Sequence, residues 1–201
     1  MMQTTHKHLQ IVLEVAIIAA FAMALEYIPH KTGISGVEMS YGLIPISVLA
    51  LRRGVGPAMA AGLTWGLLDM LLIGIGEGSV LNVTQGFIEY PIAFTVAGLG
   101  GLFYKPFQKA LADNAHAKIL GWTWAAVVLG VVAKYLCHFY AGIIFWGSYA
   151  PKGMPAWIYS LAVNGGSAIA TGLLGLIVLT ALVTMAKHLF LPKATGRLAA
   201  N

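Results

Sequence analysis

Between Lys152 and Lys187 the chain carries no Asp, Glu, Lys or Arg. About 20 mostly apolar residues in a helix cross the roughly 30 Å hydrocarbon core of a bilayer. In hydrocarbon every backbone N–H and C=O must be paired within the protein, so this run reads as a membrane-spanning helix. The same reading along the chain places six spans at approximately 9 to 29, 38 to 51, 55 to 74, 80 to 104, 118 to 145 and 157 to 187. Their borders are physical: Pro29 closes the first, Arg52, Arg53 and Gly54 divide the second from the third, Gly74 to Gly78 end the third, and Pro151, Lys152 and Gly153 separate the fifth from the sixth. The second span is short, which calls for little tilt, a break, or shielding by protein. With 59% hydrophobic and 9% charged residues and a mean hydropathy of +0.81, the expected fold class is an all-α integral membrane protein. Its expected organisation is a single six-helix membrane domain over residues 1–201, without repeats or a soluble domain.

The net charge of +5 does not argue for nucleic acid, because the basic residues come as short clusters between apolar runs and not as a stripe on one soluble face. Lys7, Arg52, Arg53, Lys105, Lys109, Lys118, Lys187, Lys193 and Arg197 fall on one side, against Lys31 and Lys152 on the other; Lys134 lies within a span. By the positive-inside rule both termini face the cytoplasm, and the loops around Lys31 to Glu38, Gly76 to Gly78 and Tyr149 to Pro155 face outward. At the start of the chain Lys7 precedes an apolar stretch, and Ala22 and Ala24 have the small-x-small look of a cleavage site. Glu14 interrupts that stretch and the apolar character continues to Ile28, so it reads as a retained first span. Cys137, the single cysteine, excludes an intrachain disulfide and the paired-cysteine metal motifs; no metal and no cofactor are expected.

The polar residues inside the spans carry the function. In the fifth, Tyr135, His138, Gly142 and Trp146 follow 3, 4, 4 spacing on one helix face, with Gly142 leaving a gap between imidazole and indole. Trp146 and Tyr149 also suit an interfacial aromatic belt, the better reading for Tyr149 but not for His138, which lies deeper. In the fourth, Asn82, Gln85 and Glu89 form a polar stripe followed by Tyr90 and Pro91. A carboxylate inside a membrane costs several kcal/mol unless it has a partner or a cavity, which makes Glu89 a functional candidate, with a structural pair to Lys134 or a neutral glutamic acid bonded across helices as the alternative. Pro91 frees the carbonyl of Phe87 and should kink the helix beside Glu89. In the sixth, Tyr159, Asn164 and Ser167 are polar, but Tyr159 and Asn164 are about 140° apart on an ideal helix. Both reach one pocket only if Tyr159 belongs to the incoming turn. Glu14, Glu26 and Asp69 read as structural, Asp69 as a possible pair for Lys134. Ala16, Ala20 and Ala24 form a small-xxx-small face that either packs within the protein or docks another membrane protein.

A carboxylate, an imidazole, an amide and several aromatic faces suit a flat, nitrogen-rich, positively charged molecule. There is no HExxH, no GxSxG and no GxxxxGK[ST], so neither catalysis nor self-powered pumping has a motif behind it. The other function these residues allow is a small membrane enzyme using His138 and Glu89 as acid and base on an amphiphilic substrate.

The stretches "SYGLIPISVLALRRG", "GFIEY", "CHFYAGIIFWGSYAPKGM" and "WIYSLAVNG" resemble the thiamine-specific substrate-binding subunits (S components, of the ThiT or YuaJ type) of energy-coupling factor transporters. The resemblance covers nearly the whole chain. It implies a six-helix fold in the prokaryotic plasma membrane with a thiamine pocket near the outer face, closed by the loop between the first two helices. It implies that Glu89 and Tyr90 match the family's "IEY" ligands, Glu89 accepting hydrogen bonds from the aminopyrimidine. His138 and Trp146 match the histidine and the stacking tryptophan of "H...FWG", and Tyr159 and Asn164 match "YSLxVNG". It further implies that Ala16, Ala20 and Ala24 dock a transmembrane coupling subunit, which works with two ATPase subunits while the loaded subunit reorients in the bilayer. The chain departs from the family pattern near Ile34, where tryptophan is common, and at Gly76 to Ser79, where tyrosine is common.

Overall fold

The computed structural model describes residues 2–29 and 36–192, and among these the apolar runs become helices with no sheet. Six helical segments succeed one another: α1 (Met2–Leu25), α2 (Leu43–Arg53), α3 (Val55–Gly74), α4 (Val83–Ala112), α5 (His116–Ile144) and α6 (Ala156–Met185). All but α2 are long and apolar enough to cross a membrane. α1, α3 and α5 end, and α2, α4 and α6 begin, around one cavity, so successive segments alternate in direction.

The expected second span differs from a simple helix. Its 11 helical residues cover only about 16 Å at 1.5 Å per residue. The rest of the distance is taken by extended chain, whose backbone donors are met by α6: the Glu38 N–H donates to Ser167 Oγ and the Ser40 N–H to Thr171 Oγ1, both at 3.0 Å. Irregular backbone survives at membrane depth only where protein covers it, and α2 is accordingly enclosed, with Ile46, Leu49 and Leu51 buried.

α3, α4 and α6 each contain one five-residue π-helical turn, at Met70–Gly74, Ile88–Ile92 and Leu161–Gly165. In α4 the cause is Pro91, which has no N–H to offer the preceding turn, so that the hydrogen-bond ladder shifts into a π register at the place where a kink was expected. Gly66 of α3 then lets α4 approach closely, since a Cβ there would lie 2.6 Å from the Tyr90 carbonyl oxygen. That contact fixes where Tyr90 and its neighbours stand.

The end away from the cavity is clamped by charge. Arg52 donates to Glu14 through Nε (3.1 Å) and Nη2 (2.9 Å), and Arg53 through Nε (2.7 Å) and Nη2 (2.8 Å). Arg52 also donates through Nη1 to the carbonyls of Leu189 (3.1 Å) and Leu191, while Gln108 Nε2 donates to Leu51 O and Phe190 O, both at 2.8 Å. Glu14, read from sequence as a snorkelling side chain, is therefore the acceptor that ties α1 to α2. Glu14→Gln keeps the shape but loses half of this fork-on-carboxylate pairing. It should cost on the order of 1–3 kcal/mol, read as a lower thermal midpoint in detergent with ligand affinity unchanged.

Candidate binding site

Where the six segments converge lies a cavity of about 590 Å³. The three π turns all reach its wall: the first brings Leu72 and Ile73, the second Glu89 and Tyr90, the third Val163 and Asn164. A π turn holds one residue more than an α turn and rotates the residues beyond it about the helix axis. That is why Tyr159 and Asn164, which an ideal helix sets about 140° apart, face the same space from one continuous helix, with Tyr159 in the first regular turns of α6 and not in an incoming loop. Glu89, Tyr90, His138, Trp146, Tyr159 and Asn164, which the sequence singles out from three separate spans, all line this one cavity.

Glu89 is held from both sides. Gln85, fully buried one turn earlier on α4, donates through Nε2 to Glu89 Oε2 and to Ser79 O (3.1 Å), and its Oε1 accepts from the Leu81 N–H at 2.9 Å. Trp146 Nε1 donates to Glu89 Oε1 at 2.9 Å. Each carboxylate oxygen thus keeps further acceptor capacity for a ligand donor. Asn82, expected in the same stripe, instead caps the first turn of α4, its Oδ1 accepting from the Gln85 N–H at 3.0 Å.

The α5 wall also departs from a simple face. Trp146 stands two residues beyond the end of the helix, with its indole edge pinned by Glu89. Tyr135 does not line the cavity; its hydroxyl pairs with Thr171 Oγ1 at 2.9 Å inside the wall. Gly142 lines the cavity between His138 and Trp146, and a Cβ there would run into Ser160 Oγ. Its bareness lets α6 close on α5, so that Ser160 Oγ donates to Phe139 O (2.7 Å) and Asn164 Nδ2 to His138 O (3.3 Å) and Ser160 Oγ (3.1 Å). The Nε2 of His138, sealed from solvent, has no hydrogen-bond partner among the described residues.

Lys134 lines the floor without the expected pairing to Asp69 or Glu89. Its Nζ donates to Ser40 Oγ at 3.2 Å and sits 4.4 Å from the Phe94 ring centroid and 5.0 Å from that of Tyr135. Aromatic faces and a hydroxyl carry this buried cation. Glu26 and Asp69, read from sequence as structural, line the cavity, as do Glu38 and Glu77, which sequence reasoning left unassigned. Only spatial convergence joins them, since no spacing within one helix connects residues of α1, α3 and two loops. Ile34, where the family pattern is broken, lies outside the described residues. Among those described, no cluster of His, Cys, Asp and Glu is arranged to hold a metal ion.

Residues 12–191 match the family described as thiamine transporter protein (Thia_YuaJ). The chain belongs to this family. It is 56% identical over 188 residues to the thiamine transporter ThiT of Lacticaseibacillus paracasei, covering 94% of each chain. To the thiamine transporter ThiT of Bacillus subtilis it is 34% identical over 186 residues, 91% of this chain and 95% of that one. A solved structure of ThiT from Listeria monocytogenes superposes with a TM-score of 0.86 at 41% identity, covering 92% of this chain and all of that one. Membership of the family, with five helices suited to crossing a bilayer, makes the chain a multi-pass membrane protein.

Proposed function

We propose that this family member captures thiamine in the cavity between its helices and serves as the substrate-binding subunit of an energy-coupling factor importer. The observation that carries the reading is Glu89, a carboxylate at membrane depth that is oriented by Gln85 and Trp146 and faces a cavity with open acceptor capacity. Such a group suits the amino group of a pyrimidine, and the pinned indole of Trp146 offers its face to a cationic ring. The volume falls in the range of small-molecule sites. In this reading Tyr90, His138, Tyr159 and Asn164 complete the contacts. The relatives are named as transporters, which supports transport and not catalysis by His138 and Glu89.

Titration of the detergent-purified chain with thiamine, followed by tryptophan fluorescence, tests the site. Saturable quenching at nanomolar ligand is expected; no response at micromolar ligand in a folded sample would end the proposal.

The chain is proposed to act as a single six-segment domain in the prokaryotic plasma membrane with both termini cytoplasmic, as its charge bias supports. Its partners in this reading are a transmembrane coupling subunit and two ATPase subunits, with docking on α1. Ala16, Ala20 and Ala24 are all exposed, beside exposed Val12, Ile17 and Phe21, while Ala19 and Ala22 bury the opposite face. Ala20→Leu is expected to leave thiamine affinity intact in the isolated chain and to abolish co-purification with the coupling subunit and uptake by cells. Normal uptake by this variant would remove the α1 interface from the proposal.

A further inference from the structure

Five of the chain's seven acidic residues, Glu26, Glu38, Asp69, Glu77 and Glu89, line this cavity, in a protein whose net charge is +5. The other two, Glu14 and Asp113, lie at the opposite end, one in the arginine clamp and one at the close of α4. We infer that the cavity mouth is an electrostatic funnel that speeds capture of a monocation, a property that rests on the cavity being the thiamine site.

The excess of negative charge does not depend on how individual carboxylates are paired. Lys134 lines the cavity, and the loops expected at this end contribute only Lys31 and Lys152 as lysines. Five carboxylates against three lysines still leave two negative charges (5 − 3 = 2). The charges are also ordered in depth. Glu77 is exposed and Glu26 and Glu38 are half-buried, whereas Lys134 is about 15 Å down α5 from Ile144, counting 1.5 Å per residue. A cation is therefore drawn to the mouth and not past the ligand-binding wall to the floor. Clefts lined by one sign of charge, with walls of low dielectric, focus field lines and raise association rates by roughly 10–1,000-fold.

Steering acts on encounter, so it predicts a split between rate constants that a purely structural role for these carboxylates would not produce. Stopped-flow tryptophan fluorescence of the full chain with thiamine, from about 20 mM to about 500 mM salt, shortens the screening length from roughly 20 Å to about 4 Å. The association rate should fall several-fold over this range while the dissociation rate changes less than about twofold. At low salt Glu77→Asp should retain the fast rate, Glu77→Gln should lose about two- to fourfold and Glu77→Lys more, with all converging at high salt. The uncharged aminopyrimidine half of thiamine should associate at a rate that salt leaves unchanged. Saturable thiamine binding with a salt-independent association rate would overturn the funnel alone, as would equal salt dependence for the uncharged half. Absence of any saturable quenching would overturn the thiamine site and the funnel with it.

Discussion

Glu89→Gln is expected to weaken thiamine binding by roughly 10- to 100-fold, from loss of a charge-assisted hydrogen bond of about 1.5–3 kcal/mol, while the protein stays folded. The direction comes from the donors around the carboxylate. Trp146 Nε1 donates to one oxygen and Gln85 Nε2 to the other. A glutamine has one oxygen and one amide nitrogen, so one of these donors must meet another donor. Gln85 cannot resolve this by turning its own amide, because its Oε1 already accepts from the Leu81 N–H and its Nε2 also donates to Ser79 O. The variant therefore loses the charge that attracts a cationic ligand and also frees either Trp146 or Gln85. Fluorescence titration gives the affinity, and thermal unfolding without ligand separates binding from stability. Wild-type affinity in this variant would remove Glu89 from the site.

Gly142→Leu should cost more, removing binding by at least two orders of magnitude and destabilising the protein by about 1–3 kcal/mol, the usual range for overpacking. The first atom of any side chain at this position would run into Ser160 Oγ and stand 3.0 Å from Asn164 Nδ2. Ser160 is buried and anchored to Phe139 O, so it has nowhere to go without α6 moving as a body. That movement carries Asn164 and Tyr159 away from His138 and Glu89, opening the wall on which the ligand would rest. Gly121→Leu is the control on the same helix: a Cβ there meets nothing within 4 Å, and binding and stability should match the wild type. Equal behaviour of the two variants would show that the close approach at Gly142 does not shape the site.

Much of this cavity's lining is legible in the sequence. Glu89 stands out because a carboxylate is expensive in an apolar run, and the "GFIEY", "H...FWG" and "YSLxVNG" stretches single out residues that one cavity does gather. Other readings failed for identifiable reasons. Tyr135 and His138 are three residues apart on one helix, yet Thr171 on α6 captures the tyrosine inside the wall. Asn82 has the spacing of a site residue but caps a helix that begins where it stands. Lys134 looks like a mate for Asp69 or Glu89, and finds Ser40 and three aromatic rings instead.

Composition and near neighbours along the chain were enough to set a helical membrane fold, the breaks at Gly and Pro, the positions of the long spans, and the polar residues too costly to lie in hydrocarbon without a use. Everything that depends on which helices touch had to wait for the packed molecule. Packing set the π turn of α6 that brings Tyr159 into line with Asn164, the extended chain that leads into α2 under cover of α6, and the closure of α5 on α6 at Gly142. It also collected five carboxylates from distant parts of the chain around one cavity. Helical periodicity orders residues along one axis, whereas a cavity is made by the meeting of several, and that meeting is fixed by close contacts between side chains and backbone far apart in sequence.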